Sequence, residues 1–279
     1  MVSKKLFYKS LNYIFLIAMG LIMIFPLIWL FFATFKTSAE IFGNKSLLPS
    51  SYSLDAYIEG WKATGQVTYT LFFSNSISLV IPVVFFTVIS SVFISYGFAR
   101  FKFKSNALLF KVMLATMMLP GSVTIVPQYI LFRNLGWLNT YNLFIIPSMF
   151  GTPFFIFLMV QFLRGIPKEL DEAAFMDGCG TLKILFKILV PLSKPAIFSI
   201  IVFQFLWTWN DFFGPLIYLN SVKKYTVSLG LLMSFDTEAG VAWANLMAMS
   251  LVSIIPCILL FFFAQKYFVE GIATTGIKA

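Results

Sequence analysis

The chain has 279 residues, of which 59% are hydrophobic and only 11% charged, with a formal net charge of +9 and no histidine. A soluble domain carries about 25% charged residues, so lipid is the expected solvent for much of this sequence. The missing histidine excludes a Ser-His-Asp triad, a Cys-His nucleophile and His-ligated zinc or haem within the chain, and two isolated cysteines, Cys179 and Cys257, make neither a metal cage nor a disulfide framework.

A helix needs about 20 apolar residues to cross the hydrocarbon core. Six stretches reach that length, and the reading is an all-α membrane protein with spans near 11–33, 72–97, 108–129, 142–163, 196–219 and 245–266. Lys4, Lys5 and Lys9 precede the first, as in a secretory signal, but its apolar run exceeds the roughly 7–15 residues of a signal core, so a retained helix is expected. Residues 1–35 thus form an N-terminal tail and first span, and 36–70 an external polar segment with Pro49 and amphipathic character around Tyr57–Trp61. Residues 71–266 form the core, with a connecting loop at 164–194 and a second external segment at 221–243. Residues 267–279 are a tail.

With both termini in the cytoplasm, 14 of the 20 basic residues fall inside, among them Arg100, Lys102, Lys104, Lys111, Arg164 and Lys168. The positive-inside rule favours that orientation. It also accounts for the net charge without a nucleic-acid partner.

Each span carries proline: Pro26, Pro82, Pro120, Pro147 with Pro153, Pro215 and Pro256. Two readings stay open, a bundle bent around a pathway and the ordinary frequency of proline in membrane helices. Polar groups inside spans are few: Ser74, Asn75, Ser76 and Ser78 in the second, Asn210 and Asp211 in the fifth. An intramembrane ionisable residue is a functional-site hypothesis by default, so Trp209, Asn210 and Asp211 are candidate pathway residues. Neither a proton relay nor an arginine ladder is present, which disfavours a proton pump or a voltage-gated channel.

The loop at 166–194 is richer. Pro167 suits a first helical position, and Glu169, Asp171 and Glu172 place negative charge on the first turn, where the helix dipole favours it. This helix is expected to run to about Met176 and stop at Gly178 and Gly180. Thr181 is the expected N-cap of a second helix, Leu182–Leu189, with Leu182, Leu185, Phe186 and Leu189 on one face and Pro191 and Pro195 ending it. Ala173 and Ala174 permit close approach of another surface, with Leu170, Phe175 and Met176 as apolar anchors. From the residues alone, a docking element and a helix lying in the headgroups are equally good readings.

Glu172, Ala173, Ala174, Asp177, Gly178, Ile188, Pro191 and Pro195 resemble the EAA loop of ABC importer permeases. The segments Trp209-Asn210-Asp211-Phe212 with Pro215-Leu216, and Gln265 to Ile272 followed by Gly276-Ile277-Lys278, are similar to binding-protein-dependent carbohydrate permeases, in the branch of the smaller maltose-transporter permease. Departures are small: Cys179 and Ala279 stand in place of the usual alanine and glycine, and Val190 in place of leucine.

The resemblance implies a type I importer permease fold in a bacterial cytoplasmic membrane, multi-pass, with carbohydrate as the transported class. It implies a heterodimer with a second permease subunit, two ATP-binding subunits and an extracytoplasmic solute-binding protein. The EAA residues would contact the ATP-binding subunits, as would the tail at Gly271, Gly276 and Lys278. The chain has no G-x-x-x-x-G-K-[ST] phosphate loop. It is accordingly expected to be non-catalytic and to bind no cofactor or metal itself, with ATP and Mg on the partners. The alternatives are a secondary transporter, which needs coupling-ion ligands and usually an internal repeat, and a membrane docking or assembly subunit without its own pathway.

Overall fold

The computed structural model describes residues 2–43, 46–62, 67–233 and 242–276, with side chains described between 8 and 266. All regular structure among them is helical, as lipid requires of segments that must satisfy their own backbone groups. In chain order the helices are α1 (Val2–Ala33), α2 (Ser38–Gly43), α3 (Asp55–Trp61), α4 (Tyr69–Arg100), α5 (Asn106–Thr116), α6 (Gly121–Asn134), α7 (Asn142–Ser148) and α8 (Pro153–Gly165). There follow α9 (Glu169–Met176), α10 (Thr181–Ile184), a π-helical turn at Leu185–Leu189, α11 (Val190–Leu192), α12 (Lys194–Trp209), α13 (Phe213–Tyr218), α14 (Val227–Met233) and α15 (Trp243–Gly276).

Four segments are long and apolar enough to span a membrane: Tyr8–Ala33, Tyr69–Arg100, Asn142–Gly165 and Trp243–Lys266. Two more stretches are bent pairs, α5 with α6 at 98° and Thr181–Leu192 with α12 at 76°, and the number of crossings reaches six when each pair is one span.

Three expected spans are therefore not single helices. The third, near 108–129, breaks after Thr116 because Pro120 is extended (ψ 133°) and opens α6 instead of continuing α5. The fourth, near 142–163, breaks at Gly151 (φ +93°), and Pro153 starts a fresh helix. The fifth, near 196–219, stops at Trp209 and resumes at Phe213. There Asn210 Nδ2 donates to the Leu206 carbonyl (2.8 Å) and Asp211 Oδ1 accepts from Gly214 N–H (3.0 Å). Such local side-chain bonds compete with the helical ladder. The last helix is longer than expected, running through Gly276.

The chain divides into two compact units, 1–70 with 230–255 and 71–229 with 256–279. In the first, none of the α1 span's most apolar window is buried within the chain, which suits a helix hydrophobic on every side and solvated by lipid or another subunit. The turn after α1 packs Phe35 against Phe31, Tyr52 and Tyr57, and Tyr57 Oη donates to Thr34 Oγ1 (3.0 Å). Thr37 and Glu40 form a capping box on α2: Glu40 N–H donates to Thr37 Oγ1 (3.3 Å) and Thr37 N–H to Glu40 Oε2 (2.9 Å). Ser50 also bonds Glu40 Oε1 through its hydroxyl and its N–H.

The second unit is built on a core in which Val92, Tyr96 and Ala99 of α4 meet Phe155, Met159 and Leu163 of α8, Ala174 of α9, Leu185 and Leu189 of the π turn, and Ile200 of α12. Two of the polar residues early in α4, Asn75 and Ser76, bond the chain's own backbone. Asn75 Nδ2 donates to the Lys223 and Tyr225 carbonyls (2.9 Å each), and Ser76 Oγ accepts from Val227 N–H (2.8 Å).

Candidate functional site

The loop between α8 and α12 is held by the last turn of α4 at three points. Arg100 Nε pairs with Asp171 Oδ2 in α9 at 2.6 Å, Arg100 Nη2 donates to the Ile166 carbonyl (3.1 Å), and Tyr96 Oη donates to the Thr181 carbonyl (3.1 Å). The Arg100 and Asp171 side chains are 6% and 19% exposed, so the ion pair is largely withdrawn from solvent. Together the three contacts tie residues before, within and after α9 to the end of α4. Neither partner was legible as such: Arg100 reads as a topology determinant and Asp171 as dipole complement, 71 positions apart.

Helix α9 ends in a Schellman motif. Gly178 is left-handed (φ +79°), Cys179 N–H donates to the Ala174 carbonyl (2.9 Å) and Gly178 N–H to the Phe175 carbonyl (3.0 Å). This gives a physical reason for the glycine stop expected there. The second helix differs from expectation. Gly180, not Thr181, is the N-cap residue, and no side-chain cap bond forms. The π turn rotates Ile184, Leu185 and Leu189 into the core and leaves Leu182 and Phe186 exposed, so the expected face of Leu182, Leu185, Phe186 and Leu189 is split. Pro191 and Pro195 each lie in the first turn of a helix, α11 and α12, and the 76° bend falls between them at Ser193.

Glu172, Ala173, Phe175, Met176, Asp177 and Gly178 are exposed, with Met176 at 86%. Ala174 is not: at 6% exposure it belongs to the chain's own core, so its methyl faces inward. Ile188 is half-buried against that core and Pro191 is exposed. A hollow of about 510 Å³ lies beside α9, lined by Phe101, Glu172, Phe175, Met176 and Thr181. Phe101, Phe175, Met176 and Ile184, around a hollow that also holds Glu172 and the paired Arg100 and Asp171, suit a protein partner's projecting residue.

A second cavity, about 730 Å³, is formed by α6, α7 and α13, with Ser122, Thr124, Gln128, Phe144, Asp211 and Tyr218 in its wall. Of the three candidate pathway residues only Asp211 reaches it. Trp209 is 3% exposed, stacked on Phe205 with ring centroids 5.5 Å apart, and its carbonyl accepts from Ser228 Oγ (2.7 Å). Asn210 is exposed but bonded back to its own helix. Sequence reasoning missed Ser122, Thr124 and Gln128, whose signal was a short run of uncharged polar residues inside an apolar stretch.

In the tail, Gly271 and Gly276 are part of α15, and Lys278 lies outside the described residues. Residues 234–241 of the second external segment do too. Among the described residues no group of three or more Cys, Asp or Glu side chains is arranged to hold a metal ion.

Residues 88–274 match the family described as "Binding-protein-dependent transport system inner membrane component". The chain is 34% identical over 255 residues to the probable ABC transporter permease protein YurM of Bacillus subtilis (strain 168), covering 91% of this chain and 83% of that one. It is 34% identical over 260 residues to the arabinooligosaccharides transport system permease protein AraQ of Halalkalibacterium halodurans, covering 92% of each. Its fold is similar to a chain in the crystal structure of a bacterial ABC transporter involved in import of the acidic polysaccharide alginate, with TM-score 0.82, 23% identity, and 94% and 96% of the two chains covered.

Proposed function

Because this chain belongs to the family of binding-protein-dependent transport inner membrane components, we propose that it is the permease subunit of an ATP-driven importer of a sugar or oligosaccharide. A permease of this family implies a solute-binding protein and an ATPase as partners. The observation that carries the reading is the clamp on α9: Arg100 and Tyr96 fasten both sides of the loop to α4, while Glu172, Ala173, Phe175 and Met176 stay free to dock. A push on α9 is then transmitted to the end of a helix of 32 residues, about 48 Å long.

In this proposal two ATP-binding subunits engage the EAA residues and the tail, and a second permease completes the pathway. Both termini lie in the cytoplasm, supported by the excess of basic residues on that side. ATP with Mg, bound by the partners, supplies the closing motion. This chain's residues convert it into alternate opening of the two faces by rigid-body movement. Carbohydrate is favoured by the relative named for arabinooligosaccharides and by the chemistry of the second cavity. Hydroxyl, amide and carboxylate groups from Ser122, Thr124, Gln128 and Asp211 stand there beside the rings of Phe144 and Tyr218, the combination that binds a hydroxyl-rich ring with apolar faces.

Uptake of labelled oligosaccharide into proteoliposomes holding the assembled subunits tests this. Uptake should require internal ATP and the solute-binding protein, stop with vanadate and survive a protonophore. Uptake that survives vanadate and stops with the protonophore would establish a secondary transporter instead.

A further inference from the structure

Where α4 and α8 end, the chain folds the connection 101–105 into a basic cup of about 680 Å³, walled by Arg100, Lys102, Lys104, Arg164 and Lys168 with no carboxylate in its lining. Its shape is fixed. Asn106 Nδ2 donates to the Phe98 (3.3 Å) and Phe101 (3.0 Å) carbonyls, pinning the turn, and the Arg164 guanidinium rests on the Phe110 ring 5.1 Å from its centroid. Arg100, buried behind the cup, has its charge met by Asp171, yet its Nη1 has no hydrogen-bond partner. The other four cations are exposed, and among the described residues none has an ion-pair partner. The positive-inside rule explains basic residues near a span's end. It does not explain their convergence from two spans and a connection on one concave surface.

We propose that this cup binds the phosphodiester of an anionic glycerophospholipid. The ligand's charge follows from the four uncompensated cations, since a phosphodiester accepts both guanidinium and ammonium donors. The lipid source follows from position. The cup lies at the ends of two membrane-spanning segments, and the helix leaving it, α5, exposes Leu108, Leu109 and Val112, an apolar track on which acyl chains can lie. Basic pockets between membrane helices take such headgroups. A bound lipid would brace the end of α4 from which the α9 clamp is built, so lipid composition would bear on coupling.

The test is native mass spectrometry of the whole transporter released from detergent containing dioleoyl-phosphatidylglycerol or dioleoyl-phosphatidylcholine, with 10 mM inorganic phosphate added in a further arm. Wild type should retain phosphatidylglycerol in preference to phosphatidylcholine. The double variant Lys102→Gln with Lys104→Gln should lower that affinity about 30-fold, and Lys168→Gln on the opposite wall about 5-fold. Two different walls keep the test decisive if one variant folds poorly. Lys183→Gln with Lys187→Gln removes equal charge elsewhere and should leave retention unchanged. Equal retention of the two lipids, or equal loss from both double variants, overturns the site. Displacement by phosphate overturns the lipid as its occupant. Release of the ATP-binding subunits from the Lys102/Lys104 double variant with lipid retention intact would reassign the cup to a protein contact.

Discussion

Replacing Asp171 by asparagine should release α9 from α4 while leaving the spans folded. The carboxylate meets Arg100 Nε at 2.6 Å with both side chains largely buried, and removing one member of a buried pair costs about 3–5 kcal/mol because the other charge stays unmatched. Asp171 is 19% exposed and its Oδ1 has no hydrogen-bond partner, so the lower end, about 3 kcal/mol, applies. That cost falls on local opening of α9, and should raise amide exchange across 169–176 about 150-fold. Hydrogen–deuterium exchange of the transporter in nanodiscs reads this directly. Arg100→Met with Asp171→Leu should recover most of the protection, since apolar replacement of a buried pair is often neutral. It should fall short by about 1 kcal/mol for the lost Arg100–Ile166 bond. Unchanged exchange in D171N, with solute uptake still tightly linked to ATP hydrolysis, would refute the clamp.

Ala174→Phe inserts a ring into the core formed with Leu163, Leu185 and Leu189 and should lower stability by about 1–3 kcal/mol or more, seen as a drop in thermal midpoint. Ala173→Asp, on the exposed side, should leave the midpoint unchanged while reducing co-purification with the ATP-binding subunit at least about tenfold. Gly178→Val should cost about 1–2 kcal/mol in stability because its φ is +79°. Gly178→Asn should cost less than the valine variant, since asparagine tolerates the left-handed conformation better than a β-branched residue. Glu40 is held down from an ordinary 4.5 to about 2, first by the Ser50 hydroxyl and then by Thr37 N–H. Its contribution to the α2 segment is therefore complete above about pH 4.5 and lost as the pH falls toward 2. Carbon-13 titration of labelled glutamate should find that midpoint, Ser50→Ala should move it upward, and a native midpoint at the ordinary value would contradict the capping geometry.

The apolar segments were legible because lipid leaves so few alternatives: about 20 apolar residues in hydrocarbon must satisfy their own backbone groups, which helical structure does. The bends were only half legible. Pro120 and Gly151 mark breaks, but their angles depend on what the second half-helix packs against, and periodicity carries no information on that. Glu169–Met176 could be read from its acidic first turn and its glycine stop. The inward turn of Ala174 could not, because it is set by Leu185 and Leu189, which the π turn rotates one step away from ordinary helical phase. The Arg100–Asp171 pair was invisible for a different reason: each residue already had a sufficient local explanation. The Thr37–Glu40 capping box stands in the sequence as T-x-x-E, within a segment whose overall composition is that of a polar loop.

The central claim is that the exposed edge of α9 is the contact with the ATP-binding subunit. Met176→Cys, in a chain with Cys179 and Cys257 replaced by serine, should form a bismaleimide cross-link to that subunit in the assembled transporter, with a yield that changes on adding ATP and vanadate. An intact complex that yields no such product would contradict it.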